Sequence, residues 1–209
     1  MATSAAVDIT EGFENSGQVC KMVEEAVWEL GLSDKLEEVT IKQPASDSAV
    51  DMNYLYPKEK YLELEIVDSL DNLEGRVLHE LMHVADMLDK KFRYKKGREP
   101  EEGTAEHRRY KYLWNVYIDS RLISSGSPAY ETCEGREKEI AECYPELSGA
   151  LREKVFGLLW ELEPLDQKQI VAMSYDLFSA SKELGSLAGS RGEKLHKFGS
   201  AEELKKYRK

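Results

Sequence analysis

The sequence predicts an α+β protein, with strands in its first third and helices after it. Three observations point there. Before residue 68, segments alternate apolar and polar residues with the period of two that a half-buried strand requires. From Leu73 onward, apolar residues recur at three and four, the spacing of amphipathic helices. Between the two patterns stands Asp71-Asn72-Leu73-Glu74, where Asp followed three residues later by Glu reads as a capping box opening a helix.

In chain order, residues 1–13 carry no periodic pattern and read as frayed. Val19, Met22, Val23, Ala26, Val27 and Leu30 then mark a helix from about Gly17 that stops at Gly31, with Trp28 on its edge. Leu36 to Gln43 is a strand around Val39-Thr40-Ile41, and Val50 to Tyr56 is a looser one ended by Pro57. Tyr61 to Val67 alternates cleanly, with Leu62, Leu64 and Ile66 on one face and Tyr61, Glu63 and Glu65 on the other. It is expected to be half-buried or at an edge, blunted by its two carboxylates, although an edge there would also suit an added peptide strand.

The next helix is expected to run from the cap at Asp71 to about Leu88. Lys90 to Pro100 is a loop, and a long helix follows from Glu101 or Thr104 to Ser124, with Tyr110, Leu113, Trp114, Tyr117, Ile118 and Leu122 on its apolar side. Ser124-Ser125-Gly126-Ser127-Pro128 is the clearest boundary, dividing a core over 14–125 from a helical region over 128–209 that packs on it or acts as a lid. That region holds a short helix from Glu134 to Cys143, stripes over Leu151–Leu162 and Ile170–Phe178, a loop over Gly185–Gly192 and a weak helix over Glu202–Lys209.

Composition narrows the function classes. A net charge of −11 opposes nonspecific binding to nucleic acid and to anionic membranes. The stretch from Arg191 to Lys209 is locally basic, and it reads as a solvated or frayed terminal helix. No basic-then-apolar leader and no long apolar window is visible, and three cysteines without CxxC spacing fit reduced thiols. The expected setting is cytoplasmic.

The residues that carry chemistry lie inside the capped helix. His79-Glu80-Leu81-Met82-His83 reads HExxH. Residues four apart on a helix differ by about 40° around its axis, so both imidazoles can face one point. Two neutral imidazoles are half of a zinc site, and Glu80 beside them can act as the base toward a water. This helix is apolar on most sides, so its His and Glu side chains need partners, which one zinc ion would supply.

A catalytic zinc takes three protein ligands. Asp89, ten residues after His79, occupies the last position of HExxHxxGxxH, but that arrangement needs a break at a Gly, and Asp86 stands there. On an unbroken helix Asp89 lies about 80° from His79 and more than two turns along. Glu102 and Glu106 have the spacing of a downstream glutamate ligand, yet they also read as an acidic helix start. Asp119, amid the apolar side of the long helix with Asn115 one turn before it, is the favoured third ligand. His107 is a further candidate in an Arg-rich helix start, and Tyr112 and Tyr117 have the hydroxyls of oxyanion donors.

His79-Glu80-x-x-His83 followed by Leu113-Trp114-Asn115-x-x-x-Asp119 resembles the zincin metallopeptidases, and more narrowly the metallopeptidase-like domains in which HExxH precedes a WNxxxD helix. The resemblance covers about Leu36 to Ser124. It implies a zincin-like core of a small mixed sheet, an active-site helix and a ligand helix, with the C-terminal helices as an extension. It also implies a peptide or protein substrate, zinc held by His79, His83 and Asp119, and Glu80 as general base. The competing expectation is a catalytically silent zincin-like module that binds metal and works through protein–protein contact.

Overall fold

Val39 and Ile41 alternate with polar neighbours, and in the computed structural model of the protein this alternation builds a sheet. The structure describes residues 5–10, 12–45, 51–162, 164–179 and 182–189. Strands β1 (Ala6–Ile9), β2 (Glu38–Lys42), β3 (Met52–Tyr56) and β4 (Tyr61–Glu65) lie in the order β1-β2-β4-β3. β1 and β4 run parallel to β2, and β3 runs antiparallel to β4, so the sheet is mixed. Register sets Val39 beside Leu62 and Ile41 beside Leu64. Across the other ladder Asn53 faces Leu64 and Leu55 faces Leu62. Asn53 therefore belongs to the same sheet face as the buried leucines.

Two helices complete this part of the chain. Helix α1 (Ser16–Glu29) packs on β1, helix α2 (Leu73–Leu88) packs on β3, and the two helices pack on each other. Their buried side chains, among them Val19, Val23, Val77, Leu78, Leu81 and Val84, meet the sheet's apolar face. Each such side chain removed from water contributes about 1.5–3 kcal/mol.

Three expectations change here. Residues 6–9 form a strand instead of a frayed end, because main-chain pairing with β2 fixes them: Ala6 N–H donates to Glu37 O, and Thr10 N–H to Ile41 O. β4 is half-buried as expected, but it is an inner strand, and the sheet's edges are β1 and β3. The β4 carboxylate of Glu63 does not blunt an edge; it pairs with Lys42 on neighbouring β2. Helix α2 has no capping box. Its N-cap is Asn72, in the left-handed region at φ 47° and ψ 35°, with no side-chain cap bond. A cap is worth about 1 kcal/mol, small beside the apolar side chains that α2 buries.

The chain divides into two compact units, Met1–Asp89 with Leu122–Tyr130, and Lys90–Arg121 with Glu131–Lys209. Both take residues from either side of the stretch Ser124–Pro128. The first unit is the sheet with α1 and α2, to which a short return segment is added. That segment begins where helix α3 (Ala105–Ser124) ends: Ser127 N–H donates to Leu122 O and Gly126 N–H to Ile123 O, with Gly126 at φ 81°. This is the double bond pattern that closes a helix on a left-handed glycine.

The second unit is helical. It holds most of α3 with α4 (Cys133–Cys143), α5 (Gly149–Trp160), α6 (Gln167–Tyr175), a 3-10 turn (Leu177–Ser179) and α7 (Lys182–Gly189). Ile140, Val155, Ile170, Met173 and Leu184 are fully buried in it. Buried Gln167 ties the 90–100 loop down, accepting from Lys95 N–H and donating to Lys95 O. Helix α6 carries a true capping box, with Asp166 and Gln169 bonding reciprocally. α7 replaces the loop expected from Gly185: burial of Leu184 outweighs the weak helix propensity of its glycines. The helix expected over 202–209 and the basic stretch from Arg191 lie outside the described residues. Among the described residues no helix is long and apolar enough to cross a membrane.

Candidate metal centre

Helix α2 carries His79 and His83 one turn apart, and their ring centroids stand 5.0 Å from each other with planes at 76°. His79 is almost wholly buried and His83 half-buried. Two imidazoles one turn apart, in this T-shaped arrangement, are donors of the kind that bind zinc at about 2.0–2.1 Å. The donor chemistry and the spacing fit zinc. Glu80 is buried on the same helix, and Asn53 Nδ2 on β3 donates to its Oε2 at 2.6 Å.

The first turn of α2 is fixed by an ion pair. Arg76 Nε meets Asp51 Oδ2 at 2.6 Å and Nη2 meets Oδ1 at 2.9 Å, a two-pronged contact with both residues buried. The same guanidinium donates to the carbonyls of Ser69 and Val67, and Asp51 accepts from Val67 N–H. The residues leading into α2 and the start of β3 are thus tied to one cation, three residues before His79.

The return segment of the first unit also reaches this helix. Asn72 Nδ2 donates to Ala129 O at 2.9 Å and to Tyr130 O at 3.0 Å. The Tyr130 ring lies 5.3 Å from that of His79, tilted by 48°.

The remaining sequence candidates distribute as follows. Asp119 belongs to the second unit, fully buried on α3, and its Oδ2 accepts from Arg136 Nε at 2.7 Å. Asp89 is the C-cap of α2, where the backbone turns extended at ψ 121°. Glu102 is exposed before α3, and Glu106 is in its first turn. His107 Nδ1 sits 3.0 Å from Pro100 O, a bond that closes the loop before α3. Tyr112 hydroxyl donates to Arg136 O, and Tyr117 hydroxyl accepts from Leu165 N–H; both bonds lie within the second unit. The first unit thus brings together the two histidines, Glu80, Asn53 and Tyr130. Among the described residues no group of three His, Cys, Asp or Glu side chains gathers around one point.

Asn53 and Tyr130 were not singled out from the sequence. For Asn53 a signal existed: in Met52-Asn53-Tyr54-Leu55-Tyr56 it shares the inward face with Leu55, and an inward polar side chain needs a partner. For Tyr130 there was none, since it is 47 residues from His83 and lies in a segment without periodicity. No family model, no curated protein and no solved structure matches this chain.

Proposed function

We propose that the protein is a zinc-dependent metallopeptidase with a zincin-like core. The observation that carries this reading is the α2 constellation: two imidazoles 5.0 Å apart one turn from each other, with the carboxylate of Glu80 held by Asn53 beside them. A purely structural zinc site has no use for an oriented carboxylate next to its ligands.

His79 and His83 would hold the ion, with Asp119 as the third ligand that the sequence pattern supports. A monodentate carboxylate ligand uses one oxygen while the other is commonly bonded to a neighbour, and Asp119 has such a bond from Arg136. When bound, zinc supplies Lewis acidity, acidifying a water and polarising the scissile carbonyl. Glu80 would take a proton from the attacking water and return it to the leaving amine. Asn53 keeps the carboxylate aimed through both transfers. Its strand, β3, is an edge with Met52, Tyr54 and Tyr56 exposed, and its main chain suits an extended peptide laid alongside by β-pairing.

The test has two parts. Purified protein should contain close to one zinc per chain by elemental analysis, and His79→Ala should lose it. Glu80→Gln should keep the metal and abolish hydrolysis of an unfolded protein substrate. Wild-type levels of cleavage in Glu80→Gln would rule the mechanism out. A second reading, a metal-binding module acting through protein contact, draws on the two-imidazole set and would leave Glu80→Gln without consequence.

A further inference from the structure

We propose that Tyr130 is a positioning residue of the metal centre, whose ring holds the His79 imidazole in the orientation a zinc ligand requires. This rests on the metal-site reading above. Three observations within the first unit lead to it.

Tyr130 is 38% exposed, yet its ring lies against that of His79, which is 2% exposed.

The segment bearing it is clamped at two points. Asn72 spends its amide on the carbonyls of Ala129 and Tyr130, not on capping α2. Its left-handed backbone, which Asn tolerates better than most residues, turns the side chain outward for this. One turn along, a Cβ on Gly75 would overlap the carbonyl oxygen of Ala129. The absent side chain lets the segment of residues 128–130 lie directly on the helix. Gly75 and His79 are four apart, so they share one face of α2. The clamp at Gly75 therefore delivers the next residue, Tyr130, onto His79.

A ligand imidazole must present one ring edge to the metal. Rotation about its own side-chain bonds works against that, and a fixed neighbour that blocks rotation raises metal affinity. Hydrogen-bonded neighbours of a ligand typically contribute about 10–100-fold, and a neighbour that acts by packing should contribute less. The ring is the group proposed to supply the constraint.

The experiment uses the full chain, with zinc affinity measured by competition against a chromophoric chelator and Co²⁺ absorption read on the same proteins. Tyr130→Phe should bind zinc as wild type does, with an unchanged Co²⁺ spectrum. Tyr130→Ala should bind zinc several-fold more weakly, by less than the about 10–100-fold of a lost hydrogen-bonded partner, and shift the Co²⁺ bands. Asn72→Ala, which releases the clamp but keeps the ring, should move both readouts the same way by a smaller factor. Thermal melts of the metal-free proteins show whether each variant is folded, and Asn72→Ala carries the test if Tyr130→Ala is not. Wild-type affinity and spectrum in Tyr130→Ala, or in Asn72→Ala where that variant carries the test, overturn the role of Tyr130 while leaving the metal site standing. A wild-type protein that binds zinc no better than His79→Ala overturns both.

Discussion

Asn53 on the edge strand donates to Glu80 on α2 across 2.6 Å, so the strand proposed to receive a peptide also holds the proposed base. A hydrogen bond to a charged partner contributes about 1.5–3 kcal/mol. If Glu80 needs that bond to stay aimed, Asn53→Ala should lower the rate of substrate hydrolysis by about 10–100-fold while zinc content stays at one per chain. Asn53→Asp sets a carboxylate against a carboxylate and should do worse in both rate and melting temperature. Steady-state cleavage assays beside elemental analysis check this. An Asn53→Ala enzyme of undiminished rate would show that Glu80 is aimed by something else.

The pair Arg76–Asp51 should matter for stability far more than the exposed pair Lys60–Glu37 just before β4 and β2. Both members of the first are buried, so removing one strands the other away from water. Breaking such a pair costs about 3–5 kcal/mol. Asp51→Ala is expected to lower Tm by roughly 6–20 °C in a chain of this size, with little dependence on salt because buried charges are poorly screened. Glu37→Ala should leave Tm nearly unchanged. Calorimetry at low and high salt compares them directly.

Gly75 is not a helix breaker that the fold tolerates; it is an opening that the return segment fills. Elsewhere in an exposed helix, Gly→Ala stabilises by about 1 kcal/mol through propensity. Here the added methyl would meet Ala129 main chain. Gly75→Ala should therefore destabilise by about 1–3 kcal/mol, the cost of overpacking. Denaturant titration gives the sign, and a stabilised variant would show that residues 128–130 can move off the helix without cost.

Most helices and strands of this chain could be read from local pattern, because each carries its own apolar period. Val39 and Ile41 on β2, or Val19, Val23, Ala26 and Val27 on α1, announce which side is buried whatever lies beyond. The features that escaped depend on partners distant in sequence. β1 exists because the main chain of β2 is there to pair with it, and four residues of Ala-Val-Asp-Ile are too few to show a period. The Asp71–Glu74 spacing suggested a cap, but Asn72 was drawn into a left-handed turn by the carbonyls of residues 129 and 130, and the cap was lost. The order of strands was likewise illegible: the alternation of β4 says which face is wet, not how many neighbours the strand has. The candidate site divides the same way. His79, Glu80 and His83 share one helix and one motif, while Asn53 and Tyr130 reach them only through the fold.

Asp119 is where the sequence pattern and an observed contact can be set against each other. Its carboxylate is wholly buried and bonded to Arg136, which is itself buried and also bonded to Glu139. That arrangement suits a purely structural ion pair, and it equally suits a metal ligand whose second oxygen is oriented by a neighbour. The two roles separate under substitution. Arg136→Ala strands the carboxylate in either case and should cost about 3–5 kcal/mol. Replacing both partners with apolar residues of similar size, Asp119→Leu with Arg136→Met, removes the buried charges together, and such exchanges are commonly neutral or stabilising. A structural pair predicts that this double variant folds and binds zinc as the wild type does. A ligand predicts that it folds but loses zinc by orders of magnitude in affinity, and that Asp119→Asn alone weakens zinc far more than Glu106→Gln. Zinc competition on those three variants, alongside their melts, tells the two roles apart. Retention of zinc by the folded double variant would move the third ligand away from Asp119.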